Sequence, residues 1–212
     1  MQLDAGVVTR CRRRVHLEND PAARDLPKAP MDAGVEQRIA DAAEHRRAVA
    51  GQLAALLGEQ WVAVSREGTR RERERATAEA MRAGTRFISG AQLPADPDGG
   101  RLGAIDLLVR SGAGYVPVLV VRHKTADPGN GARTAPLSDP TPAAARPDPD
   151  RKVRSQPRDQ LRLVHVRRLL EACGMAADDP VGGVIGVEAD VVVWHDLRAP
   201  NWPGGRTARR TR

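Results

Sequence analysis

Apolar residues recur at helical spacing through Val35, Ile39, Ala42, Val49, Leu53, Leu56 and Leu57. Asp32 precedes them as an N-cap and Gly58 follows as a left-handed stop, which predicts one long helix. A shorter helix is read over residues 4–18, beginning at Asp4, with Val7, Val8, Cys11 and Val15 near one face. QWVAV at 60–64 reads as a short strand, and TRRERERATAEAMRAG at 69–84 as a charged helix ended by Gly84. RFISGAQL, RLGAIDLLVR and YVPVLVVRHK are rich in Val, Ile and Leu and are joined by the turns PADPDGG and SGAG, so three consecutive antiparallel strands are expected. The proline-rich stretch 127–157 offers little to bury and is read as a mobile, disordered surface loop. From Pro157, QLRLVHVRRLLEAC predicts a basic amphipathic helix with Gly174 beyond it. VGGVIGV and DVVVWHDL predict two more strands.

Helix, three antiparallel strands, helix, strand is the signature of an α/β protein in which one mixed sheet carries helices on its faces. Residues 1–30 are read as an N-terminal helix and loop, 31–197 as one domain, and 198–212 as a basic, disordered tail.

The 212 residues contain 34 Lys and Arg against 27 Asp and Glu, a formal charge of +7. Such a balance attracts polyanions and makes nucleic acid the natural partner class. Lys28, Lys124 and Lys152 are the only lysines, so arginine supplies almost all the positive charge. Rings come only from Trp61, Trp194, Trp202, Tyr115 and Phe87, which argues against base-stacking platforms. Cys11 and Cys173 are too few for a disulfide framework or a four-thiolate metal site. No apolar run reaches the roughly 18 residues of a spanning helix, and the N-terminus lacks the basic-then-apolar order of a secretory signal. A soluble, cytoplasmic protein is expected. The chain has no GxGxxG after a strand, no Walker A lysine and no GxSxG elbow, so dinucleotide, triphosphatase and serine-hydrolase chemistry lack their usual support. His195 and Asp196 are adjacent on a strand and face opposite sides, which argues against a shared catalytic pair.

Asp106 lies among Leu107, Leu108 and Val109, where an ionised carboxylate needs a cation or several donors. Lys124 ends the following predicted strand. Neighbouring strands can set such an acid and amine side by side, either as a metal site with a water-orienting lysine or as an interstrand ion pair.

In these residues the chain resembles the RecB-like nucleases of the PD-(D/E)XK superfamily. TRCRRRVHL is similar to that family's first helix, and AMRAGTRFISGAQL to the strand leading into its site. GAID, with Gly103 and Asp106, resembles the GxxD metal motif. RHK at 122–124 stands where D/E-x-K is expected, and Gln160 and Leu161 resemble the start of QhxxY. The resemblance implies a restriction-endonuclease-like core (α-β-β-β-α-β). It also implies a DNA phosphodiester hydrolase using Mg²⁺ or Mn²⁺, with Asp106 holding the metal, Lys124 positioning water and Gln160 supporting the site. Glu36, on the long helix, is the candidate for a further metal ligand.

The sequence departs from that pattern at two places. Arg122 replaces the acid two positions before Lys124, on the same strand face, and a guanidinium repels a divalent cation rather than binding it. Val164 replaces the tyrosine of QhxxY. The alternative reading is therefore a catalytically degenerate nuclease-fold protein that holds nucleic acid without cleaving it. Arg122, Arg151, Lys152, Arg154, Arg158 and Arg162 are the candidate backbone contacts in either case.

Overall fold

The computed structural model describes residues 2–7, 10–27 and 29–199. Its helices are α1 (Arg12–Asn19), α2 (Ala33–Leu57), α3 (Arg70–Arg82) and α4 (Pro157–Ala172). Its strands are β1 (Trp61–Ala63), β2 (Phe87–Asp96), β3 (Arg101–Ser111), β4 (Gly114–Val120), β5 (Ala126–Pro128), β6 (Ala132–Pro136), β7 (Arg146–Asp148), β8 (Arg151–Val153), β9 (Val181–Ile185) and β10 (Val191–Asp196). Eight strands form one mixed sheet in the order β1-β2-β3-β4-β9-β10-β6-β7, and β5 pairs with β8 apart from it. β2, β3 and β4 are an antiparallel meander, β1 lies parallel to β2, and β9 lies parallel to β4 after the α4 crossover. The α/β class and the mixed sheet flanked by helices are as the sequence predicts.

Local chemistry explains the helices. Asp32 Oδ1 accepts the N–H groups of Gly34 and Val35 at the start of α2. Thr69 and Glu72 form a reciprocal capping box on α3, satisfying two otherwise orphaned donors. α1 is shorter than expected, because Asp4 does not cap a helix: its carboxylate closes a turn onto Gly6 N–H at 2.6 Å. Leu3 then bridges to Arg101 beside the start of β3.

Two apolar layers hold the sheet. Val49, Leu53 and Leu57 of α2 pack with Phe87, Leu107, Val109, Val116 and Val118 on one face. Leu163, Val166, Leu169 and Leu170 of α4, with Met81 of α3, pack with Ile88, Leu108 and Leu119 on the other. α3 is further tied down by the buried Thr77, whose hydroxyl donates to Arg73 O and accepts the N–H of Gln92. Tyr115 is buried under α3, and its hydroxyl donates to Thr85 O at 2.8 Å and lies 3.2 Å from Met81 O.

The expected disorder over 127–157 is corrected by the structure. β6 pairs with β10 and β7 with β6, extending the sheet, while β5 and β8 form a ribbon. Ala132, Ala135, Leu137 and Ala145 are buried, and the last three pack in the cluster that holds Trp194. The alanines give a weak hydrophobic signal in the sequence, yet they are buried in the folded chain. Proline is tolerated because it sits at strand starts, ends and edges. Beyond Ala199 the basic tail read at 198–212 lies outside the described residues. Among the described residues, no helix is long and apolar enough to cross a membrane.

Candidate nucleic-acid interface

The sheet loses its period of two at one level. Leu107 and Val109 face α2, so alternation assigns Ile105 to that side, yet Ile105 joins the α4 cluster with Leu108. Ala91 on β2 makes the same change relative to Phe87. Between the pairs Ser89↔Leu107 and Ala91↔Ile105 lie Gly90, at φ 63°, and Asp106 opposite it. Left-handed backbone of this kind favours glycine, and a Cβ on Gly90 would come 3.2 Å from Val64 O. The phase change places Asp106 at the floor of a cavity on the α2 side.

That cavity, of about 190 Å³, is lined by Arg46, Arg47, Ala50 and Leu53 of α2, Trp61 and Ala63 of β1, Val64 and Arg66 beyond it, Ser89, Gly90, Asp106, Leu107 and Val120. One oxygen of Asp106, Oδ2, accepts the Val120 N–H at 2.9 Å, and Oδ1 lies 3.6 Å from Arg46 Nε. The side chain is 17% exposed. Burial pushes its carboxyl upward, opposed in part by the Val120 N–H and by the fields of Arg46, Arg162 and Arg66. Among the described residues, Arg47, Arg66 and Arg162 form no ion pair.

A second cavity, of about 410 Å³, lies against Asp4, Gly6, Arg10, Gly103, Ala104 and Arg162. Ala104 and Asp106 are two residues apart on β3, roughly 7 Å at strand rise. Arg162 therefore borders one cavity and acts on the carboxylate at the floor of the other.

The sequence candidates fall in different places. Lys124 is exposed beyond the end of β4 and does not line the cavity of Asp106. Glu36 is exposed in the first turn of α2, about 15 Å along the helix axis from Arg46. The helix thus presents a guanidinium to Asp106 where the resemblance implies a carboxylate ligand. Arg122 is turned to α2, where it pairs with Asp41 at 2.8 Å. Gln160 buries its amide nitrogen without a hydrogen-bond partner among the described residues.

Three of the six expected phosphate contacts are engaged by acids: Arg122 by Asp41, Arg151 by Asp148 and Asp190, and Arg154 by Asp127. Lys152 and Arg158 are exposed, and Arg162 borders the second cavity. Gly103 of GAID serves packing, since a Cβ there would meet Leu169 Cδ1 of α4 at 3.2 Å. His165, beside the QhxxY position, anchors α4 through Nε2 to Leu102 O at 3.0 Å.

A divalent cation needs several oxygen ligands, even when water supplies some of them. Among the described residues, no group of three or more His, Cys, Asp or Glu side chains could hold a metal. The carboxylate at Asp106 has one oxygen occupied by an N–H and the other facing a guanidinium. These residues do not fit Mg²⁺ or Mn²⁺.

Three cationic lining residues escape the sequence reading: Arg46, Arg47 and Arg66. Arg46 had a visible signal, because it occupies the apolar stripe of α2 between Ala42 and Val49, where an aliphatic side chain belongs. Arg66 had none, since its loop position becomes meaningful only when β1 docks beside β2.

No family model matches the chain, and neither a curated protein nor a solved structure does.

Proposed function

We propose that this chain is a catalytically degenerate member of the RecB-like nuclease group, with a restriction-endonuclease-like core, that binds nucleic acid without cleaving it. The observation that carries this reading is the surroundings of Asp106. Arg46 stands 3.6 Å from its carboxylate, Arg47 and Arg66 share its cavity, and among the described residues no second carboxylate lines it. A cavity with three guanidiniums and one acid attracts phosphate and repels the cation that hydrolysis would need. Arg122, at the lost acidic position, is held by Asp41 and adds no ligand. The phosphate contacts fall on Arg46, Arg47, Arg66 and Arg162, which border the two neighbouring cavities, whereas Arg10 beside Arg162 is paired with Glu18 at 3.4 Å. With Trp61 the one ring among the described lining residues, arginine contacts grip the backbone and read little sequence.

The test is retention of fluorescent DNA across a salt series. Each phosphate contact adds about 0.9 to the slope of log affinity against log salt. Arg46, Arg47 and Arg66 changed together to Ala should lower that slope by about 2–3. Retention with an unchanged slope in that variant would place binding elsewhere, and no retention at low salt would remove the nucleic-acid reading. Cleavage in Mn²⁺ that disappears in Asp106→Ala would instead establish the hydrolase.

A further inference from the structure

The cavity over Asp106 has a charge that suits one kind of phosphate better than another. Arg46, Arg47 and Arg66 contribute three positive charges, leaving +2 with Asp106 ionised and +3 with it protonated. An internal phosphodiester brings one negative charge, whereas a phosphate monoester brings about −1.5 to −2 at neutral pH. The volume points the same way. About 190 Å³ is below the roughly 300 Å³ of an ordinary small-molecule pocket, so the cavity receives one phosphate-bearing group and not a run of nucleotides.

The cavity also has a closed and an open side. Leu53, Leu107 and Val120 belong to its buried wall, while Arg47 and Arg66 are exposed at its rim. Two residues along β3 the exposed Ala104 borders the larger cavity, where Arg162 stands with Asp4 and with Arg10, itself paired with Glu18 at 3.4 Å. A strand lying over Ala104 has the guanidinium of Arg162 for a following phosphate there, and its end falls at the arginine-rich cavity. Trp61 stands in the wall, an apolar plate beside the group that carries the phosphate.

We infer that the cavity formed by Arg46, Arg47, Arg66 and Asp106 is a receptor for the terminal phosphate monoester of a nucleic-acid strand. This inference rests on the nucleic-acid reading above and specifies which part of the strand the site holds.

The experiment compares three fluorescein-labelled single strands of one sequence, bearing a 5′-phosphate, a 3′-phosphate or no terminal phosphate, on the full chain and on an Arg47→Ala, Arg66→Ala variant. Both arginines are exposed, so the variant should keep the wild-type melting temperature. One phosphorylated end is expected to bind at least tenfold more tightly than the unphosphorylated strand. The advantage should vanish in the variant and be competed by inorganic phosphate. Equal binding of all three strands overturns the inference while leaving general nucleic-acid binding standing. An advantage that persists in the double variant places the end elsewhere and overturns it too. If none of the strands binds, this inference falls together with the reading beneath it.

Discussion

Replacing Asp106 with Asn keeps an acceptor for the Val120 N–H, 2.9 Å away, and removes a charge that burial disfavours. Replacing it with Ala removes both. The folded carboxyl titrates above its unfolded value of about 3.9, so the folded state holds the proton more tightly. The resulting stabilisation is present below the unfolded value and is lost as pH rises from there through the folded one. At pH 7 the ionised group is therefore a cost to folding, and Asp106→Asn should be more stable than wild type. Asp106→Ala leaves a buried N–H unpaired, which costs about 1–3 kcal/mol. At about 2–4 °C per kcal/mol for a chain of this size, the Asn variant should melt roughly 2–12 °C above the Ala variant. Thermal unfolding followed by circular dichroism at pH 7 and near pH 3 measures both effects. The advantage of Asn over wild type should be clear at pH 7 and disappear at the lower pH. An Asn variant as destabilised as Ala at pH 7 would refute the reasoning, because the fold would then depend on the negative charge and not on the acceptor.

Other consequences follow from contacts away from the cavity. Thr77→Val removes the hydroxyl that links Arg73 O to Gln92 N–H and should cost about 1–3 kcal/mol in urea unfolding; a neutral result would mean that water replaces it. Gly114→Ala would put a Cβ 2.4 Å from the backbone of Ala176, where Tyr115 N–H bonds Met175 O, so a loss of about 3 kcal/mol is expected. A normal melting temperature there would contradict the packing of that segment. His195 is buried, and burial pushes its imidazole down against the pull of Asp159, which also accepts from His123 at 2.7 Å. Because the unfolded histidine takes a proton near pH 6.5 and the folded one resists it, this group's contribution should fall as pH drops below about 6.5. His195→Gln should flatten that decline, and an unchanged pH profile would show that His195 does not carry it.

The helices and the central meander were legible because their signals are local: Asp32 and Thr69 as caps, Gly58 and Gly84 as stops, and Val, Ile and Leu runs between glycine-bearing turns. The 127–157 segment reads as disordered because three of its buried residues are alanines, Ala132, Ala135 and Ala145, whose weak apolar signal is outweighed by the prolines around them. Asp106 was found by its own improbability, an acid within an aliphatic strand. What surrounds it was not legible, since period-two reasoning assumes an unbroken pleat and the sheet changes phase at Gly90 and Asp106. The sequence pattern runs on as a strand to Lys124, which would set it beside Asp106, whereas β4 ends at Val120. The arginines that replaced it come from α2 and the loop after β1, far away in sequence. Arg46 alone could have been noticed, as the one guanidinium on an otherwise apolar stripe.

The central claim is that Asp106 sits among cations that receive phosphate and exclude a divalent metal. Isothermal titration of the purified chain with Mn²⁺, in parallel with gel analysis of end-labelled DNA incubated with both, tests it most directly. The account predicts no saturable heat of Mn²⁺ binding and intact DNA that still shifts in the gel. A stoichiometric Mn²⁺ isotherm, accompanied by DNA cleavage and both lost in Asp106→Ala, would contradict it.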